Sequence, residues 1–298
     1  MSVDARFFSF DTGQVSLNVA EMGERGKPLI VCLHGFPEYW AAWEGVMRAL
    51  AGDFHLVAPD QRGFNLSDKP QGVDAYRSKH IVADLAALAD HLSPGRPFVL
   101  AGHDWGASIA YAYAFAHPDR LSHLVIANGV HPAMFQRAIS DDPEQRRASQ
   151  YMNRLRADGA EARMAEDEYR RTFNMLSGFS KTGWMTGEER ARYLEAWSRP
   201  GAMTGMLNWY RASPIAVPGV GEPAIPSPID DMPRETFLVR MPHLLLWGEG
   251  DEALRPVTID GLGDYAPQLT VKRFAESGHW ILHEQPGAVA DAIRDFVN

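Results

Sequence analysis

The segment FVLAGHDWGA (residues 98–107) carries the strongest structural signal in the chain. It begins as a short apolar run typical of a buried parallel strand, and a helical pattern follows directly. Gly102 and Gly106 permit a sharp turn that lifts Asp104 above the edge of the sheet. A carboxylate there faces the positive end of the helix. Taken alone, the segment predicts either an ordinary helix N-cap or an exposed nucleophile.

Strand and helix patterns alternate on both sides of this turn. Apolar or alternating runs typical of strands occupy residues 6–11, 14–22, 29–33, 55–58, 98–101, 121–127, 244–247 and 269–274. Helical spacing of apolar residues occupies residues 40–51, 75–92, 107–116 and 288–296. This order predicts an α/β fold with a mostly parallel eight-stranded sheet flanked by helices.

The middle of the chain differs from both ends. The strand signal disappears after residue 132, and residues 137–176 and 187–198 are rich in Arg and Glu, with apolar residues at helical spacing. Residues 214–233 are rich in proline and glycine, so we expect no long helix there. The pattern predicts one α/β core, residues 1–132 and 236–298, interrupted by a helical cap at residues 133–235.

Composition excludes several classes of protein. The 298 residues include 29 Lys and Arg against 38 Asp and Glu, and a net charge of −9 argues against nucleic-acid binding. The single cysteine, Cys32, excludes an internal disulfide and fits a reducing compartment. The start of the chain lacks a signal-peptide pattern, and no apolar run has the length of a membrane helix. We therefore expect a cytoplasmic protein, either a monomer or a homodimer, without metal or cofactor.

Three further loops follow predicted strands, as Asp104 does. His34-Gly35-Phe36-Pro37 follows the strand at residues 29–33, and the Phe36 N–H can donate to an oxyanion. Asp251 and His279 follow the last two strands. Because the carboxyl ends of parallel strands share one edge of the sheet, these groups are expected to meet. Asp104, Asp251 and His279 follow one another along the chain in the order that resembles the nucleophile, acid and base of α/β-hydrolases.

These motifs resemble those of the α/β-hydrolase family. HGFP, DQRGFNLSDKP (residues 60–70), GHDWGA and SGHW together resemble the branch that uses an Asp nucleophile, which contains epoxide hydrolases and dehalogenases. The resemblance spans essentially the whole chain and is strongest to soluble epoxide hydrolases. Asn65 departs from it, because family members often have Gly there. Asn tolerates the left-handed backbone conformation, so we expect the loop to be kept.

The resemblance implies a two-step hydrolysis. Asp104 displaces a leaving group from carbon and forms an alkyl ester, which a water activated by His279 and Asp251 then hydrolyses. The backbone N–H groups of Phe36 and Trp105 are implied as the oxyanion hole.

The resemblance also implies two proton donors in the cap. MLNWYRAS (residues 206–213) resembles the cap segment that carries a proton-donating tyrosine, here Tyr210. Residues 148–162 resemble the segment with the second one, here Tyr151, with Tyr169 and Tyr193 as alternatives. A phenol suits this role because it stays protonated at neutral pH yet can donate to an alkoxide.

Epoxide and halide chemistry differ at few positions. Phe36 stands where haloalkane dehalogenases often have Asn, and Trp105 stands where fluoroacetate dehalogenases have Arg. Asn128 matches epoxide hydrolases and leaves Asp251 as the acid. Trp105, however, also matches the halide-binding Trp of haloalkane dehalogenases. The sequence thus favours an epoxide hydrolase, with a dehalogenase or a non-catalytic ligand-binding relative as alternatives.

Apolar side chains are expected to line a pocket between cap and core. Such a pocket suits a small neutral hydrophobic epoxide, with water as the second substrate. The candidates are Phe36, Pro37, Trp105, Phe135, Met152, Met175, Met206 and Trp209.

Overall fold

The computed structural model describes residues 4–178, 180 and 182–298. Residues 1–3 of the predicted core, and residues 179 and 181 of the predicted cap, lie outside this range. The described residues form one eight-stranded sheet in the order β1-β2-β4-β3-β5-β6-β7-β8. The strands are β1 (Arg6–Asp11), β2 (Ser16–Met22), β3 (Leu29–Leu33), β4 (His55–Pro59), β5 (Phe98–His103), β6 (Leu121–Ala127), β7 (His243–Gly248) and β8 (Leu269–Phe274).

The predicted mostly parallel, eight-stranded sheet is confirmed. β1 and β2 pair antiparallel, and β2 also pairs antiparallel with β4. Every other neighbouring pair, from β4 across to β8, is parallel. β3, β4, β5 and β7 are buried along their whole length, which explains why they appear in the sequence as continuous apolar runs.

Helices cover the sheet and fill the long connection between β6 and β7. The described part of the chain contains α1 (Glu44–Leu50), α2 (Ser78–Leu92), α3 (Trp105–Ala116), α4 (Pro132–Asp141), α5 (Pro143–Ala148), α6 (Gln150–Arg156), α7 (Ala160–Gly178), α8 (Gly187–Ser198), α9 (Ala202–Ala212), α10 (Ile281–Glu284) and α11 (Pro286–Val297). None of these helices combines the length and the apolar character that crossing a bilayer requires.

The segment between β6 and β7 differs in detail from its sequence pattern. Residues 137–176 form no continuous helix but belong to α4–α7, and prolines begin both α4 and α5. Inside α7, Asp167 to Tyr169 take left-handed backbone angles that break the helical path. α9 lies inside the predicted helical cap but outside the two stretches, residues 137–176 and 187–198, whose spacing predicted helices. Residues 214–233, all described, contain no helix, as predicted. The boundaries of a cap domain stay a prediction.

The turn between β5 and α3 is tightly packed. Asp104 has φ 51° and ψ −121°, a conformation that non-glycine residues rarely adopt. Gly106 lies so close to β3 that an added Cβ would stand 2.2 Å from the backbone oxygen of Leu33. The three nearest atoms, from Leu33 and His34, are all backbone, so a side chain at residue 106 would force α3 away from the sheet.

We therefore predict that Gly106→Ala lowers the free energy of unfolding by about 2 kcal/mol or more, through overpacking. Gly287→Ala is a matched control, because Gly287 is likewise the second residue of a helix, α11, and an added Cβ there meets nothing within 4 Å. It should be neutral, or stabilising by up to about 1 kcal/mol. Urea unfolding midpoints of the two variants measure the difference, and equal midpoints would contradict the prediction.

Candidate active site

Asp104 occupies the edge of the sheet where β5 passes into α3. Its Oδ1 accepts a 2.7 Å hydrogen bond from the backbone N–H of Phe36, in the loop after β3. Gly35 makes this approach possible, because a Cβ there would stand 2.2 Å from Asp104 Oδ1. Trp105 is the first residue of α3, where helix N–H groups lack an intrahelical acceptor. The role of its N–H as a second oxyanion donor stays a prediction.

His279 lies between the two aspartates. Its Nδ1 is 2.7 Å from Asp251 Oδ2, and its Nε2 is 3.5 Å from Asp104 Oδ2. His103 holds the backbone at this point, because its Nε2 donates a 2.8 Å hydrogen bond to the carbonyl oxygen of His279. The structure thus brings together Asp104, Asp251 and His279, as their placement after parallel strands predicts.

The Asp251 carboxylate is held on both oxygens. Oδ1 accepts 2.9 Å hydrogen bonds from the N–H groups of Ala253 and Leu254. Oδ2 accepts a 2.8 Å hydrogen bond from the Asn128 side chain, in addition to its contact with His279. Asn128 is itself anchored, since its Oδ1 accepts a 2.8 Å bond from the N–H of Gly248. Asn128 therefore orients the acid rather than supplying it.

Charge and hydrogen bonding outweigh burial in setting the pKa values of His279 and Asp251. Burial alone would lower the pKa of His279, but the charges of Asp251 and Asp104 and hydrogen bonds to both raise it to about 10. Burial alone would raise the pKa of Asp251, yet His279 and the hydrogen bonds from Leu254 and Asn128 lower it below its usual value. In this state the site holds an imidazolium between two carboxylates.

Tyr151 on α6 and Tyr210 on α9 pack against each other near Asp104. Their ring centroids are 6.1 Å apart at 81°, and the Tyr210 ring packs edge-on against Phe36 and Trp105 at 5.1 and 5.0 Å. Burial, followed by the negative charge of Asp104, raises the pKa of Tyr151. Burial and then the neighbouring Tyr151 and Asp104 raise that of Tyr210. Both phenols are therefore protonated at neutral pH.

A close backbone contact sets the position of Tyr210. An added Cβ at Gly205 of α9 would stand 2.7 Å from the Gly63 backbone, so α9 rests directly on the loop after β4. One residue before Tyr210, the Trp209 indole donates a 3.0 Å hydrogen bond to the carbonyl oxygen of Arg62. Tyr210 reaches the site because its helix is fastened to the core at these points.

The alternative tyrosines serve other contacts. Tyr169 donates a 3.1 Å hydrogen bond to the carbonyl oxygen of Trp197, at the end of α8. Tyr193 donates a 2.8 Å bond to the buried carboxylate of Glu38. These hydroxyls tie helices of the β6–β7 connection to each other and to the core.

Sequence reasoning missed the cluster around Glu38. Glu38 Oε1 lies 2.6 Å from His283 Nε2, and Glu38 Oε2 lies 3.3 Å from His103 Nδ1. Burial alone would raise the pKa of Glu38, but the two histidines hold it well below its usual value. The cluster supports His103 and, through it, the backbone of His279. The one available signal was an acidic residue directly after HGFP.

The loop that contains Asn65 keeps its shape, as predicted. Asn65 has φ 37°, in the left-handed region. Its side chain donates a 2.9 Å hydrogen bond to Asp60 Oδ2 and accepts a 3.1 Å bond from Arg199, which follows α8. A glycine could form neither contact.

A cavity of about 570 Å³ opens beside Asp104. Of the predicted pocket residues, Trp105, Phe135, Met152 and Trp209 border it, as does Tyr151. Phe36, Pro37, Met175 and Met206 are not among the described residues that border the cavity. Phe36 instead packs against Tyr210, Pro37 accepts a hydrogen bond from the Trp197 indole, Met175 accepts one from the Trp280 indole, and Met206 is buried in α9.

The family model described as "alpha/beta hydrolase fold" matches residues 28–286. This chain belongs to that family. The AB hydrolase superfamily protein YfhM of Bacillus subtilis (strain 168) is 34% identical to this α/β hydrolase, over 96% of each chain. Epoxide hydrolase 4 of Mus musculus is 30% identical, over 92% of this chain and 74% of its own length.

Solved structures extend the likeness to three dimensions. A structure described among novel epoxide hydrolases from metagenomes of hot environments is 34% identical, has a TM-score of 0.88, and is matched over 100% of this chain and 99% of its own. The resemblance to epoxide hydrolases that the motifs indicated is thereby confirmed. Among the described residues of this α/β hydrolase, no group of three or more His, Cys, Asp or Glu side chains is arranged to hold a metal ion.

We predict that replacing either aspartate lowers the pKa of His279 from about 10, because each carboxylate stabilises the imidazolium. Asp251→Asn should lower it more than Asp104→Asn, since Asp251 makes the 2.7 Å contact and Asp104 the 3.5 Å one. NMR titration of the His279 imidazole in the two variants and the parent chain measures both effects. An unchanged titration in Asp104→Asn would show that the Asp104 charge does not reach His279.

Proposed function

We propose that this α/β hydrolase is an epoxide hydrolase, which converts an epoxide into a vicinal diol. One arrangement carries the proposal: Asp104, bound by the Phe36 N–H and faced by His279, lies close enough to Tyr151 and Tyr210 for its charge to raise the pKa of both buried phenols. A carboxylate nucleophile with protonated phenols nearby matches the needs of epoxide opening. The relatives and structures named as epoxide hydrolases support the same conclusion.

In the first step, Asp104 attacks a ring carbon of the epoxide. Oδ1 accepts the Phe36 N–H, so Oδ2, which His279 Nε2 faces at 3.5 Å, is the oxygen that bonds carbon. The bond between the attacked carbon and the epoxide oxygen breaks, and this oxygen takes a proton from Tyr151 or Tyr210. Because burial raises the pKa of both tyrosines, their protons are retained until an alkoxide develops. The product is a hydroxyalkyl ester on Asp104.

In the second step, His279 removes a proton from water, which attacks the ester carbonyl carbon. The former Oδ1 then carries the negative charge, and the Phe36 N–H, with that of Trp105, stabilises it; one such donor is typically worth ~3 kcal/mol. When this intermediate collapses, the bond between the ester carbonyl carbon and the alkyl oxygen breaks. The leaving alkoxide takes the proton from His279, which releases the diol and restores the Asp104 carboxylate. Ester formation also prepares the base. It removes the Asp104 charge that helps to raise the pKa of His279, so the imidazolium loses its proton more easily, and that proton restores the tyrosine that protonated the epoxide oxygen.

A dehalogenase would use the same nucleophile and base, but its halide leaving group departs without taking a proton from a phenol. Trp105, the residue that matches a halide-binding Trp, turns its ring edge-on to Tyr210 and Trp209. We therefore propose a hydrophobic epoxide and water as the substrates. The cytoplasmic location and the choice between monomer and homodimer stay predictions.

The function is tested by product analysis. We predict diol formation from styrene oxide and from aliphatic epoxides, without halide release from haloalkanes or haloacetates. Diol yield by chromatography and halide by ion-selective electrode give the two readouts, with Asp104→Asn as the inactive control. Halide release without diol would establish the dehalogenase instead.

We predict that a single turnover in heavy-oxygen water labels Asp104 and leaves the first diol unlabelled. Water attacks the carbonyl carbon of the ester, so its oxygen remains in the carboxylate while an original Asp104 oxygen leaves with the product. Mass spectrometry of the Asp104 peptide and of the diol measures both. A labelled first product with an unlabelled peptide would mean direct attack of water on the epoxide.

We predict that Tyr210→Phe slows ester formation by about 10²-fold, the usual contribution of a general acid, and slows ester hydrolysis much less. Tyr151→Phe should act in the same direction. Rapid-quench single-turnover kinetics separate the two steps. Tyr169→Phe is the control, because that hydroxyl bonds Trp197 and should leave both rates unchanged. Equal slowing of both steps in Tyr210→Phe would indicate a packing role.

A further inference from the structure

The cavity beside Asp104 follows one face of α3 from end to end. Its wall includes Asp104, Trp105, Ser108, Ile109, Ala112, Phe115 and Ala116. These residues recur every three or four positions, which is the spacing of one helix face. At 1.5 Å per residue, the Trp105–Ala116 helix gives the cavity a length of about 17 Å. A small epoxide would fill only the part nearest Asp104.

Asp104 stands at the end of this cavity that lies at the N-terminus of α3. Phe36 and His279 contact its carboxylate, through the Phe36 N–H at 2.7 Å and His279 Nε2 at 3.5 Å, and the Trp280 ring packs on the His279 ring at 4.7 Å. These three residues are 2%, 4% and 2% exposed, so they close that end. None of the three is among the described residues of the cavity wall. A substrate bound against Asp104 therefore has room for a substituent in one direction and not in the other.

The far part of the cavity opens to solvent. At the C-terminal end of α3 the wall residue Ala116 is exposed. Phe237 packs its ring on that of Phe115 at 5.7 Å, and the chain on either side of it brings in the exposed wall residues Glu235 and Arg240. Between the two ends the wall is mainly apolar, with Ile109, Ala112, Phe115 and Phe237 among its members. A substrate that enters from this side reaches Asp104 with its leading end.

We propose that this cavity selects terminal epoxides carried on an extended apolar chain. The epoxide ring lies against Asp104 and the chain runs along α3 toward the exposed side. An epoxide in the middle of a chain would need room on both sides of Asp104, and Phe36, His279 and Trp280 occupy one of them. The inference rests on the proposed function, which it narrows to a substrate class.

Three epoxides test the proposal: propylene oxide, the terminal epoxide of dodecene, and the isomeric dodecene epoxide with its ring in mid-chain. We expect kcat/KM for the long terminal epoxide to exceed that of its mid-chain isomer by about tenfold or more, since buried methylene groups strengthen binding. It should exceed that of propylene oxide as well. Equal values for the two isomers, or preference for the mid-chain ring, would overturn the inference. Absence of diol from all three would instead reject the proposed function.

A variant that blocks the cavity half-way supplies the second test. Ala112→Phe places a ring in its wall, and should lower kcat/KM for the long terminal epoxide by about tenfold while changing that for propylene oxide less than about threefold. Ala162→Phe, on the exposed surface of α7, is the matched control.

Retained hydrolysis of propylene oxide shows that the Ala112→Phe variant is folded. If it loses both activities through unfolding, Ala116→Phe at the exposed end gives the same contrast. Equal retention of both activities, or an equal loss of both in a folded variant, would place the substrate chain elsewhere.

Discussion

The turn at Asp104 is the constraint on which the rest of the site depends. It holds Asp104, whose φ is 51°, on the edge of the sheet. The turn is possible because Gly35 and Gly106 have no Cβ; an added Cβ would clash with the Asp104 side chain at Gly35 and with the β3 backbone at Gly106. The same close packing brings the Phe36 N–H within 2.7 Å of Asp104 Oδ1. Strain, close packing and oxyanion binding are therefore consequences of one local geometry.

Around this turn, the protein divides the chemistry between two parts of the chain. The sheet edge supplies Asp104, Asp251 and His279, and the two carboxylates stabilise the imidazolium between them. Asn128 hydrogen-bonds Asp251, and His103 hydrogen-bonds the backbone of His279. The β6–β7 connection supplies Tyr151 and Tyr210, which remain neutral because they are buried. Neither part alone supplies both the nucleophile and the proton-donating tyrosines. The contact between α9 and the loop after β4 is thus as important for the proposed reaction as the triad.

Much of this site could be predicted from local signals. Asp104, Asp251 and His279 each follow a strand, and parallel strands bring their carboxyl ends to one edge, so the trio meets as predicted. Asn65 also keeps its left-handed conformation. The pocket was less predictable: Met175 and Met206 have the same apolar character as Met152, yet only Met152 borders the cavity. Side-chain type does not reveal which face of a helix meets the cavity.

By itself, the sequence determined the sheet, the strand-to-helix turn and the positions of the nucleophile, acid and base, because each depends on short-range pattern and on strand order. The tertiary structure alone decided the buried Glu38 cluster, the charge state of His279 and the course of the cavity along α3. Those features join residues far apart in the chain, such as Glu38 with His283 and Phe36 with Tyr210. Distances and burial between such residues arise only when helices pack on the sheet.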